Sequence, residues 1–101
     1  MKVRLTKVAQ RHVRAERWWW RGNRDEKDLF DEELSDARER LEEPPKLQIY
    51  EEIRGRIIRV MHLKKTRNTI YYVIVEETQT VWVVALWGQQ RGLPPDFGEL
   101  P

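Results

Sequence analysis

A chain of 101 residues with no cysteine, ten per cent aromatics and five Trp can bury one core, and it has no disulfide framework and no thiolate nucleophile. No apolar run approaches the roughly 20 residues of a membrane-spanning helix, and residues 1–10 lack the apolar stretch of a secretory signal, so a cytoplasmic protein with no membrane partner is expected. The formal charge of +2 hides segregation: residues 1–24 are net +7, 25–52 net −8, 53–75 net +6 with no acid, and 76–101 net −3, a field that favours anionic partners.

In chain order, Lys2 to Thr6 reads as a short strand with Val3 and Leu5 on one face. Thr6 is placed to cap a helix running to about Arg21, with Val8, Ala9, Val13, Ala15, Trp18, Trp19 and Trp20 as its apolar positions. Three successive Trp span too much of a helix circumference for one core. Packing is expected to take two of them and to leave the third for a partner. Gly22-Asn23 is the expected stop. Asp25 is placed to cap a second helix, in which Phe30, Leu34, Ala37 and Leu41 recur at helical spacing. Glu32, Glu33, Asp36, Glu39 and Glu43 read as its solvated acidic face rather than a metal site, and Pro44-Pro45 ends it.

Leu47, Ile49 and Ile53 read as an extended connection that turns at Gly55. Strands are then predicted over 56–63, 69–76 and 80–87, rich in the β-branched and aromatic residues that suit a pleated surface. In the middle one, Ile70, Tyr72 and Ile74 point one way and Tyr71, Val73 and Val75 the other, so it belongs at the centre of a sheet covered on both sides. From Gly88 the chain reads as an irregular tail, with Leu93 and Phe97 to tack it to the body. The whole of residues 1–101 makes one α+β domain in the order β-α-α-β-β-β, a helical hairpin on a mostly antiparallel sheet.

Arg54, Arg56, Arg59, Lys64, Lys65 and Arg67 exceed what protection of a sheet edge requires. They read as a contact surface for nucleic acid or for an acidic protein. Tyr71, Tyr72 and Trp82 are the stacking platforms if the chain is a simple nucleic-acid-binding module. By its ordinary pKa, His62 is the candidate base; His12, set among Arg residues, ranks below it. No cofactor is implied.

The order of elements and several motifs together resemble the RelE/ParE superfamily of type II toxin–antitoxin toxins, over nearly the whole chain. Ala9, Val13 and the stretch Trp19 to Asn23 are similar to the family's first helix and turn. Phe30, Leu34, Ala37 and Leu41 with Pro44 are similar to its second helix, written F-x-x-E-L-x-x-A-x-x-x-L-x-x-x-P. Thr66-Arg67 leading into Ile70-Tyr71-Tyr72, and Val83 to Gly92, resemble its later strands and basic tail. The resemblance implies a toxin held by a cognate antitoxin, with either of two targets: mRNA inside the ribosome, cleaved by the RelE-type members, or DNA gyrase, poisoned by the ParE-type. Cleavage would draw on Arg59, His62, Arg67 and Arg91, but residues 88–101 lack the tyrosine of the RNases. The ParE-like branch, with no catalysis by the toxin, is therefore favoured, although Trp87-Gly88-Gln89-Gln90 stands where many ParE-like chains carry His-Gly-Arg-Arg. On this reading Arg56, Arg59, Lys64, Lys65, Arg67 and Arg91 contact the target, and Trp18, Trp19, Phe30 and Trp87 bind the antitoxin.

Overall fold

The structure, a computed structural model, describes residues 1–46 and 48–101; Leu47, expected in the extended connection, lies outside the described residues. Strand β1 (Lys2–Leu5) leads into helix α1 (Lys7–Asn23), which Thr6 caps by accepting from the Ala9 amide at 3.2 Å. α1 runs two residues past Arg21. Asn23 Nδ2 donates to the Trp19 carbonyl at 2.7 Å and Arg24 N to the Trp20 carbonyl at 3.0 Å, so two of its last carbonyls are satisfied without a glycine cap.

Helix α2 (Leu29–Leu41) begins four residues beyond Asp25, so Asp25 is not its cap. Asp28 holds that position and makes no capping bond through its side chain; Asp31 and Glu32 in the first turn favour the helix dipole instead. After the prolines, the expected connection is a strand, β2 (Ile49–Ile53), which pairs antiparallel with β3 (Arg56–Leu63). Arg54 and Gly55, at φ +49 and +79°, form the two-residue loop between them, in the doubly left-handed geometry that matches strand twist. β2 escaped the sequence reading because it is an edge strand, four-fifths exposed in its residues, with no burial pattern to betray it.

β4 (Asn68–Val75) and β5 (Thr80–Gly88) complete a five-stranded sheet of order β1-β5-β4-β3-β2. β1 runs parallel to β5, and every other pair is antiparallel. Between β4 and β5, Tyr71 pairs with Ala85 and Tyr72 with Val83, leaving Val84 as an extra residue. This bulge explains the run Val81–Trp87: it shifts the alternation, so Val81, Val83 and Leu86 face the helices while Val84 and Ala85 face away.

Both helices cover one face of the sheet, where Ala9, Val13, Trp20, Phe30, Leu34, Ala37 and Leu41 pack on Met61, Leu63, Ile70, Tyr72 and the inward residues of β5. On the opposite face Ile58, Val73, Val75, Val84 and Ala85 are closed over by Phe97 of the tail. Arg54 Nη2 donates to the Gly98 carbonyl at 2.8 Å and Arg56 Nε to the Pro101 carbonyl at 2.7 Å, fixing the tail across the sheet. Phe97 thus anchors the tail as expected, but Leu93, 77% exposed, does not.

Candidate functional site

The last turns of α1, the turn between β3 and β4, and the start of the tail surround a groove of about 880 Å³. Trp18, Trp19 and Trp20 line it beside Arg24, Lys65, Arg67 and Arg91, with Glu16 as the acid of its lining. A buried carboxylate positions the turn. Glu33 is 9% exposed and accepts from Lys65 N at 2.8 Å, Thr66 N at 3.0 Å and Thr66 Oγ1 at 2.6 Å. It is therefore not part of the solvated acidic face. Three residues on from Phe30, it sits at the shoulder of the packed stripe rather than opposite it.

With its own proton committed to Glu33, Thr66 Oγ1 accepts from Asn68 Nδ2 at 3.1 Å, which fixes the orientation of that amide. Asn68 Oδ1 is left buried without a protein donor. Asn68 also lines a cavity of about 60 Å³ with His12, Gly88 and Arg91, roomy enough for a water. Arg67 closes the turn in the left-handed region at φ +58°, which costs a side-chain-bearing residue about 1 kcal/mol. Its carbonyl accepts from Gln89 N at 2.8 Å, and Gln89 Nε2 donates to the Asn68 carbonyl at 2.9 Å. Turn and tail are thereby held as one wall.

On the α1 side, only Trp20 is buried, its indole donating to the Glu26 carbonyl at 2.6 Å. Trp18 is 84% exposed and Trp19 44%, so two tryptophans rather than one remain outside the core. The Arg24 guanidinium lies 5.4 Å from the Trp19 ring centroid and 5.7 Å from that of Trp20. Arg91 lies 4.1 Å from the ring centroid of Trp87, which in turn packs on His12 at 5.1 Å. His12 Nδ1 accepts from the Leu86 amide at 3.3 Å, covering the edge of β5 beyond the reach of β1. Burial, aided by the charges of Arg91 and Arg11 and opposed by Asp96, holds the His12 pKa below its ordinary value. Arg17 and Arg21 both pair with Asp31, at 2.6 and 2.9 Å, so part of the charge segregation is helix-to-helix pairing. Among the described residues, none of the four groove cations forms an ion pair.

A second groove, of about 470 Å³, gathers Tyr50, His62, Thr69, Tyr71, Trp87 and Arg91. His62 meets Thr69 Oγ1 at 3.0 Å through Nδ1 and Gln48 Nε2 at 3.3 Å through Nε2. An amide nitrogen can only donate, so Nε2 accepts from Gln48 and Nδ1 carries the proton given to Thr69. Both ring nitrogens are thus engaged within the protein.

The structure brings Lys65, Arg67, Arg91, Trp18 and Trp19 to one groove and leaves the other expected site residues apart. Trp87 and His62 line the second groove. Lys64 is exposed on the same turn but does not line the first. Arg56 is committed to the tail, and Arg59, opposite Tyr72 on the helix side of the sheet, donates to the Lys46 carbonyl. Arg59, His62, Arg67 and Arg91 accordingly do not converge. Phe30, 1% exposed, belongs to the core and offers no surface to a partner. Tyr72 is fully buried with its hydroxyl on the Pro45 carbonyl at 2.6 Å, and Tyr71 is packed by Tyr50 and Phe97, so neither is an open stacking platform. Trp82 is half-buried against the cluster that Phe97 closes. Arg24, Glu33, Tyr50 and Gln89 were missed. Of these only Glu33 had a signal, as the acid of the F-x-x-E-L pattern.

Among the described residues, no three His, Asp or Glu side chains gather as metal ligands, and no helix is long and apolar enough to cross a membrane. No protein-family model matches the chain, and no curated protein matches it. Among solved structures it is similar to the isolated E. coli RelE toxin, with a TM-score of 0.63 over 90% of this chain and 86% of that one, at 13% identity. At that identity the likeness is one of fold: two helices over a mostly antiparallel five-stranded sheet.

Proposed function

We propose that this chain is the toxin of a type II toxin–antitoxin system of the RelE/ParE kind, acting in the ParE-like manner: it stops growth by poisoning DNA gyrase and is neutralised by a cognate antitoxin. The observation that carries the reading is a RelE-like fold with a groove that presents Lys65, Arg67 and Arg91 beside exposed tryptophans. Arg67 adds to it. A long cation held in a left-handed backbone is retained at a cost to stability, as functional positions often are.

Poisoning by binding is favoured over RNA cleavage because no histidine lines the groove and His62 has both ring nitrogens engaged elsewhere. One observation favours cleavage as the second reading: His62 and Arg91 share the smaller groove with Tyr50 and Tyr71. A base, a cation and two phenols are the parts that metal-free cleavage of a phosphodiester uses.

Induction in a bacterial host tests the proposal. Wild-type protein is expected to arrest growth and Arg67→Gly, at equal soluble level, to permit it. Growth undisturbed by the wild type refutes the toxin reading, and arrest undiminished by Arg67→Gly refutes the role of the groove.

A further inference from the structure

We infer that copies of this chain join edge to edge, strand β1 of one adding antiparallel to strand β2 of the next, to make an open row.

The two edges of the sheet carry opposite charge. The order β1-β5-β4-β3-β2 leaves β1 and β2 each with one unpaired side. Lys2 and Arg4 are exposed on β1, and Glu51 and Glu52 on β2. Among the described residues, none of these four side chains forms an ion pair. Charge on a sheet edge ordinarily keeps other strands away. Here it does so only between like edges. β2 laid on β2 sets Glu51 and Glu52 against the same two carboxylates, and β1 laid on β1 opposes cation to cation. β1 laid on β2 brings cation to carboxylate.

Direction and register agree with that pairing. β1 runs parallel to β5, and β5, β4, β3 and β2 alternate, so β1 and β2 run in opposite directions within one copy. A second copy carried along the sheet in the same orientation therefore presents its β1 antiparallel to β2. Lys2 N and Thr6 N donate to the Gln79 and Val83 carbonyls at 3.0 Å each, so by alternation the backbones of Val3 and Leu5 face outward. Gln10 Nε2 takes the Leu5 carbonyl at 3.0 Å, which leaves the amides of Val3 and Leu5 and the Val3 carbonyl for a neighbour. On β2, Ile53 and Arg56 are the pair that closes the two-residue loop, so the backbone of Glu52 points away from β3. Opposing Val3 to Glu52 sets Arg4 opposite Glu51, with Lys2 diagonal to it. The same register carries Leu5 to the bulge between Ile49 and Glu51, where Ile49 is 57% exposed and gains apolar cover.

Such a contact is heterologous. Each copy spends β1 on one neighbour and β2 on the other, so copies add in a row and do not stop at two. The groove of Lys65 and Arg67 stays open, because β1 pairs with the first half of β5 and the groove lies at its Gly88 end. Strands this short bury less than the roughly 1,200 Å² of a stable complex, so the association is weak and depends on concentration.

Sedimentation velocity of the full chain, over a hundredfold range of protein concentration at low and high salt, tests the pairing. The wild type is expected to form a ladder of species beyond the dimer that grows with concentration and retreats with salt. Arg4→Glu and Glu51→Arg, each melting as the wild type does, are expected to weaken assembly at least tenfold when alone. Mixed in equal amounts they are expected to recover it, since each then offers the other an edge of opposite charge. Arg38→Glu, exposed on α2 away from both edges, is expected to assemble as the wild type does. A wild type that stays monomeric throughout, a species that stops at the dimer, or single reversals that assemble like the wild type overturns the inference. So does a mixture that fails to recover assembly.

Discussion

Replacing Glu33 with Ala removes the acceptor of three hydrogen bonds at once, from Lys65 N, Thr66 N and Thr66 Oγ1. The two from Thr66 are buried, and the Lys65 amide is only partly so, leaving it able to turn to water. A buried donor stripped of a charged partner costs about 1.5 kcal/mol or more, so the two Thr66 donors together cost about 3 kcal/mol. Unfolding entropy for a chain of this size is roughly 0.2 kcal/mol/K, which converts that loss into a fall in Tm of roughly 15 °C. Thermal unfolding followed by circular dichroism measures it, with Glu32→Ala, exposed on the same helix, as the control expected within about 0.5 kcal/mol of wild type. The turn carrying Lys65 and Arg67 loosens in the same variant, so growth arrest should weaken as well. A Glu33→Ala protein melting within about 3 °C of wild type, or no lower than Glu32→Ala, would refute the reasoning.

Denaturant titration should separate the three tryptophans of α1: Trp20→Ala loses about 3–5 kcal/mol through its cavity and lost indole bond, whereas Trp18→Ala stays within about 0.5 kcal/mol. Phe97→Ala is expected to lose about 3 kcal/mol and to raise binding of a hydrophobic dye as the sheet face beneath the tail opens. The His12 pKa is lowered in the fold, so the unfolded chain binds more protons as pH falls below about 6.5. The His12 contribution is complete above that pH and is lost on acidification through the folded pKa; His12→Gln should flatten this part of a stability–pH profile, and an unchanged slope would count against the assignment. Arg67→Gly should keep or raise Tm, because glycine adopts φ near +58° without strain; a clear fall would show that the Arg side chain itself supports the turn.

The second helix was legible because its apolar residues repeat with the helical period, as Phe30, Leu34, Ala37 and Leu41 do, and the three long strands because their runs are rich in β-branched and aromatic residues. β2 was not, since an exposed edge strand carries no such period, and its Glu51-Glu52 centre reads as solvent-facing connection. The boundary of α1 was misjudged because side-chain and backbone bonds to Trp19 and Trp20 sustain the helix past Gly22. In the site, Lys65, Arg67 and Arg91 were identifiable by type, but their meeting with Trp18 and Trp19 depends on the pairing of β4 with β5 and on how α1 crosses β5. Composition contains neither. Phe30 and Arg59 show the converse error, residue types suited to binding that tertiary packing commits to the core and to the Lys46 carbonyl. The buried Glu33 lay within reach of helix geometry alone, one position before Leu34 and four before Ala37, on the flank of a packed stripe.

Plasmid supercoiling and mRNA integrity, followed in the same cells after induction of the wild-type chain, test the central claim most directly. The account predicts growth arrest with relaxed or broken DNA and intact mRNA, with the arrest and the DNA damage both lost in Arg67→Gly. Arrest with mRNA cut during translation and normally supercoiled DNA would contradict gyrase poisoning and move the chemistry to the groove that holds His62.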